Sequence, residues 1–99
     1  MMNITGTKNG TALTLALEGR LDTSTAPQLE AELKRGIDGV TELNFDFAKL
    51  EYLSSAGLRV LLAAQKVMNR QGSMTICNVN ETIMEVFEIT GFVDILTIR

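Results

Sequence analysis

Early in the chain, Leu13, Leu15 and Leu17 alternate with Thr14, Ala16 and Glu18, the period of two expected of a strand with one buried face. Asn9-Gly10 precedes this run and adopts positive φ readily, so residues 3–7 and 11–18 are predicted to pair as an antiparallel hairpin. The period then changes. Asp22-Thr23-Ser24-Thr25-Ala26-Pro27 offers short polar acceptors for unpaired N–H groups and a proline suited to a first helical turn. Ala26, Leu29, Leu33 and Ile37 follow at helical spacing, and Gly36 or Gly39 can close the helix.

Leu43, Phe45 and Phe47 restore the alternation, which predicts a second main strand with Asn44 and Asp46 turned to solvent. Residues 48–53 are expected to form a loop. From Ser55 onward Leu58, Val60, Leu61, Leu62, Ala63, Ala64, Val67 and Met68 leave Arg59, Lys66 and Arg70 on one narrow stripe, the pattern of a deeply buried helix capped by Ser54. Gln71-Gly72 ends it, and Met74, Ile76 and Cys77 read as a strand. Asn80 can cap a helix containing Ile83, Val86 and Phe87, with Gly91 left-handed after it, Phe92 packing back, and 94–98 forming a short strand or tail. The order ββαβαβα with short βα connections predicts an α/β fold. Its sheet is mixed, of four to five strands with parallel neighbours and right-handed crossovers, and its helices lie mainly on one face. No repeat or linker interrupts the chain, so residues 1–99 are read as one domain.

Charge narrows the function. The 99 residues carry a net charge of −3, and their nine Lys and Arg are scattered, which argues against a nucleic-acid partner and against a polybasic membrane contact. No apolar run is long enough to cross a bilayer, and Met1-Met2-Asn3-Ile4-Thr5 does not resemble a secretory signal, so a cytoplasmic location is expected. The lone Cys77 lies in an apolar run and reads as a buried structural thiol. Met68, Met74 and Met84 read as core fillers.

The chain has no histidine, so it lacks the commonest general base and the commonest metal ligand. Ser-His-Asp and Cys-His mechanisms are excluded, and no metal-binding, phosphate-loop or dinucleotide motif is present, so no metal or cofactor is expected. Ser55 as an enzymatic nucleophile would need a base that the sequence does not supply. What remains is the junction Tyr52-Leu53-Ser54-Ser55-Ala56-Gly57-Leu58, which sets two hydroxyls at a helix start. They can simply cap the helix. Alternatively, free N–H groups and the helix dipole can stabilise a phosphate in the first turn, which would add about −1.5 to −2 charges and repel a partner docked on bare hydroxyls. Gly57 admits two roles, close approach of a partner or packing of the helix on the sheet.

Two segments, with a third in support, carry a family resemblance. Leu17-Glu18-Gly19-Arg20-Leu21-Asp22 resembles the Gly-Glu-Leu-Asp turn of the STAS-domain anti-sigma factor antagonists. Phe45-Asp46-Phe47 through Leu53-Ser54-Ser55-Ala56-Gly57-Leu58 is similar to their strand, loop and Asp-Ser-Ser/Thr-Gly-Leu signature, and Ile89-Thr90-Gly91-Phe92 to the small-Gly-apolar step after their third helix. The resemblance spans essentially the whole chain and implies a STAS-like fold and a non-enzymatic partner switch. Ser55 matches the serine phosphorylated by a partner that is both anti-sigma factor and serine protein kinase. Unphosphorylated protein binds that partner and frees a sigma factor, and a serine phosphatase would reset the switch. Asp22 matches the acidic residue near that serine, where it could orient the hydroxyl or the partner, or cap its helix. The two helix starts are expected at one edge of the sheet, so Asp22, Thr23, Ser24, Ser54, Ser55, Ala56, Gly57 and Arg59 form the expected partner-binding set. The sequence has Ser54 where the signature has its aspartate and Ala56 where it has a second hydroxyl. Those two positions leave open an alternative, a phosphorylation-independent STAS scaffold or subunit of a larger signalling or transport complex.

Overall fold

A computed structural model describes residues 2–99, and the alternating leucines form the inner face of its sheet. Strand β1 (Asn3–Asn9) turns through Gly10, at φ 65°, into β2 (Ala12–Leu21), and the two pair antiparallel from Asn3 opposite Glu18 to Asn9 opposite Ala12. Helix α1 (Ala26–Gly36) leads to β3 (Glu42–Leu53), and helix α2 (Ser55–Gln71) leads to β4 (Ser73–Cys77). β3 lies parallel to both β2 and β4, giving the order β1-β2-β3-β4. Helix α3 (Glu81–Thr90) and a 3₁₀ turn, Phe92–Asp94, complete the elements, and Ile98 adds one parallel bridge to Ile76, the start of a fifth strand.

Leu13, Leu15, Leu17, Leu43, Phe45, Phe47, Met74 and Ile76 are buried on one face of this sheet with Leu29, Leu33, Leu61, Met68, Ile83 and Phe87 from the helices. Each of these side chains contributes roughly 1.5–3 kcal/mol by leaving water. The opposite face carries half-buried Thr14, Ala16, Asn44, Asp46, Thr75 and Cys77. Cys77 is thus only half-buried, because it falls on the outer face of β4, and its thiol donates to the Phe45 carbonyl at 3.3 Å. Met68 and Met74 are core residues, and Met84 is half-buried.

Residues 48–53 are not a loop. They continue β3, but two register shifts against β2 insert extra residues: Ala16 faces Asp46 while Glu18 faces Lys49, and Gly19 faces Leu50 while Arg20 faces Tyr52. Each bulge breaks the period of two, so the buried residues run Phe47, Leu50, Leu53 at intervals of three. Gly19, at φ 108°, takes the backbone conformation that the bulged stretch demands of β2.

Side chains close the joints between elements. Asn80 caps α3 by accepting from Ile83 N at 2.8 Å and donates to the Leu50 carbonyl at 3.0 Å, tying α3 to the bulged end of β3. Gln71 donates to the carbonyls of Ile37 and Val40 at 2.8 and 2.6 Å, fixing the end of α2 to the turn before β3. Gly72 follows at the closest approach in that joint, where a Cβ would overlap the Thr41 carbonyl oxygen. Backbone cannot yield as a side-chain tip can. Gly72→Ala should therefore destabilise the protein by about 1–3 kcal/mol, read as a lower urea midpoint; a midpoint unchanged from wild type would show that this joint is loose.

Candidate functional site

The ends of β2 and β3 carry the two segments singled out in the sequence. Leu21 and Leu53 are register partners, and Ser54 N donates to the Leu21 carbonyl at 2.9 Å, so the turn into α1 and the start of α2 leave the sheet side by side. That is the common edge expected for Asp22 to Thr25 and Ser54 to Arg59.

In the first turn, Asp22 Oδ1 accepts from Ser24 N at 3.0 Å, Ser24 Oγ at 2.8 Å and Thr25 N at 3.1 Å. Thr25 Oγ1 accepts from Asp22 N at 2.8 Å and donates to the Arg20 carbonyl at 2.7 Å. The carboxylate is therefore engaged by its own loop, and no hydrogen bond joins it to Ser54 or Ser55. Its cap is a turn closed upstream of the helix, since Thr25 occupies the N-cap position of α1 and its hydroxyl bonds back to Asp22 N and the Arg20 carbonyl without capping a helical N–H. The Ser24 hydroxyl, followed by the backbone N–H groups of Thr25 and Ser24, holds the Asp22 carboxyl below the usual carboxylate range against some desolvation.

In the second turn, Ser54 has the extended backbone of an N-cap residue, but its hydroxyl makes no capping bond. The expected side-chain cap is absent because the Ser54 Oγ is turned inward, buried and without a partner among the described residues. Leu58 N is satisfied by the Ser54 carbonyl at 3.0 Å, while the N–H groups of Ser55, Ala56 and Gly57 precede the first intrahelical bond. Ser55 and Arg59 are exposed and Ala56 is half-buried. Gly57 is buried, and a Cβ on it would meet Leu21 Cγ and Leu53 Cδ1 at 2.7 Å each. Of the two roles open to Gly57, the structure shows packing of the helix on the sheet.

Two neighbours were missed by the sequence reading. Arg20 and Tyr52 are register partners, the Arg20 guanidinium carbon lies 4.2 Å from the centre of the Tyr52 ring, and Arg20 Nε is 3.8 Å from Asp22 Oδ2. Their signal was hidden because Tyr52 fell in the stretch read as a loop. Asp46, expected to be merely solvated, accepts from Asn78 Nδ2 at 2.9 Å and Ala48 N at 3.0 Å, which hold its carboxyl below the usual range. It lies on the open face of the sheet and supports the first bulge of β3. Among the described residues no group of three or more acidic, cysteine or histidine side chains is placed to hold a metal, and no helix is long and apolar enough to cross a membrane.

The Asp22 turn has a pH signature. Its folded-state pKa is depressed, so its contribution to stability is complete above the unfolded carboxylate value of about 4 and is lost as pH falls through the lower folded value. A carbon-detected NMR titration should place the Asp22 midpoint below the ordinary range and move it upward in Ser24→Ala. A midpoint indifferent to that substitution would remove the hydroxyl as the cause.

Comparison with known proteins bears on the family and the fold. The STAS domain model matches residues 3–99. BtrV of Bordetella bronchiseptica, described as a candidate anti-sigma factor antagonist, is 39% identical over 99 residues, covering 98% of this chain and 85% of that protein. An anti-sigma-B factor antagonist of Bacillus subtilis is 28% identical over 98 residues, covering 98% and 90%. Among solved structures, an anti-sigma factor antagonist from Mycobacterium paratuberculosis superposes with a TM-score of 0.90 at 19% identity, over 99% of this chain and 85% of that one. Phosphorylated SpoIIAA of Bacillus superposes at 0.77 with 20% identity, over 98% and 91%. These two structures share the fold, and together with the domain match over nearly every residue they follow from one fact: the chain belongs to the STAS-domain family.

Proposed function

We propose that the chain is an anti-sigma factor antagonist, a single cytoplasmic domain that binds an anti-sigma factor with serine kinase activity while Ser55 is unphosphorylated and so releases a sigma factor. The observation that carries this reading is Ser55 itself, exposed in the first turn of α2 beside the Asp22 turn. The relatives named above are described as antagonists of anti-sigma factors, and SpoIIAA is known in unphosphorylated and phosphorylated forms.

The partner would cover Asp22, Thr23 and Ser24 on one turn and Ser54, Ser55, Ala56 and Arg59 on the other, with Gly57 contributing by seating the helix. A phosphate on Ser55 meets the free N–H groups of the first turn and the positive end of the helix dipole, so the fold tolerates it. Docking does not, because about −1.5 to −2 charges now occupy the centre of the contact. A serine phosphatase would restore binding. The chain itself acts by occupancy, with no chemistry of its own.

Intact mass spectrometry after incubation with ATP and extract from the native host should show one added phosphate on wild type and none on Ser55→Ala. With the kinase responsible purified, Ser55→Asp should bind it about tenfold or more weakly than wild type while Ser55→Ala stays close to wild type. No phosphate gained in an extract with demonstrated kinase activity would favour the scaffold reading, which Ser54 at the aspartate position of the signature already leaves open. Equal affinity of the Ala and Asp variants would exclude charge as the switch.

A further inference from the structure

The same edge carries a pair that the switch leaves unused. The Arg20 guanidinium carbon lies over the Tyr52 ring, 4.2 Å from its centre, with Nε 3.8 Å from Asp22 Oδ2. Asp22 is in turn held by Ser24 and Thr25, so the guanidinium is restrained by a ring on one side and by a braced carboxylate at its stem. Neither Nη group forms a hydrogen bond among the described residues, and the side chain is 54% exposed. Tyr52 is one of the few large apolar side chains left open to solvent, at 38%.

An arginine free in solution loses rotamer entropy when a partner fixes it. Here part of that ordering precedes docking, through cation–π contact and the Asp22 pair, so more of the contact energy survives as affinity. Arginine and tyrosine are also both among the side chains enriched in energetically dominant interface positions. A planar fork with both Nη edges free fits one chemistry above others, a carboxylate held by two parallel hydrogen bonds.

We infer that Arg20, seated on Tyr52, is a specificity-determining contact that receives an aspartate or glutamate of the anti-sigma factor kinase docked at the Ser55 edge. This rests on the partner-switching reading and adds the partner's chemistry to it. The whole chain carries a net charge of −3, which by itself would favour a basic partner. The Arg20 fork is a local feature: Arg20 and Arg59 are exposed, Asp22 is half-buried with Oδ1 engaged by its own loop, and exposed Glu51 lies beside Tyr52 in the chain, so the cationic contact is the free Nη pair and not the whole edge. Arg20 also stands at the glutamate of the Gly-Glu-Leu-Asp turn, and Ser54 at the aspartate of the second signature, so a cation and a hydroxyl replace two carboxylates. The contact explains release as well as choice. A carboxylate brought to Arg20 is brought to the edge that carries Ser55, and a phosphate there repels it.

The test titrates the purified kinase that phosphorylates Ser55 against the unphosphorylated chain by calorimetry. Arg20→Glu should weaken binding about 100-fold and Arg20→Lys about tenfold, whereas Tyr52→Phe, which keeps the ring, should change it little. Replacing the partner carboxylate that meets Arg20 by arginine should restore the affinity of Arg20→Glu, a rescue that a merely structural role would not produce. Should Arg20→Glu fail to fold, Arg20→Gln keeps the stem, removes the charge and should bind at least tenfold more weakly. Wild-type affinity in the charge variants overturns the inference and leaves the switch standing; a kinase that fails to bind even the wild-type chain overturns the switch and the inference with it.

Discussion

Ser55 stands where it does because Gly57 has no side chain. Alanine is the better helix former by about 1 kcal/mol, yet a Cβ at position 57 would press on Leu21 and Leu53 at 2.7 Å each. Overpacking of that kind costs about 1–3 kcal/mol, so glycine wins at this position. The two leucines are register partners at the ends of β2 and β3. The contact therefore joins three elements at one point, and it sets the first turn of α2 beside the turn into α1. Asp22, Ser24, Ser55 and Arg59 share an edge as a consequence of it.

The core and the element order were legible because they follow from periodicity. Leu13 to Leu17 and Leu43 to Phe47 are simple alternations, Ala26 to Leu33 and Leu58 to Met68 are helical stripes, and Asn80 and Gly91 punctuate α3 as their backbone preferences dictate. The end of β3 was not legible, since bulges leave no mark in an alternation except its loss. Phe47, Leu50 and Leu53, spaced by three, belong to neither template. Only the pairing with β2 reveals that the strand continues, and pairing is a long-range property.

The site divides along the same line. Ser55 was legible because a hydroxyl at a helix start is a local feature, and Asp22 because an acidic residue before a helix is another. The orientation of Ser54 was not. Ser54 looked like a cap, but its side chain turns inward and leaves the first-turn N–H groups open. Arg20 and Tyr52 are 32 positions apart in the chain and meet only because the second bulge brings them into register. Cross-strand pairs on a bulged stretch are the contacts that single-sequence reasoning is least equipped to find.

The switch proposed above would act on the surface and spare the interior. A charge at a helix N-terminus is stabilised by about 0.3–1 kcal/mol, small beside the 5–15 kcal/mol that holds a domain of this size together. A phosphate on Ser55 would therefore have little leverage on the fold. Two unit charges 4 Å apart near a protein surface interact by about 4 kcal/mol, which is about a thousandfold in a binding constant. The same modification is thus nearly silent within the domain and decisive across an interface. For that to hold, the turn that carries Ser55 must be rigidly presented, and the close seat of Gly57 on Leu21 and Leu53 supplies the rigidity.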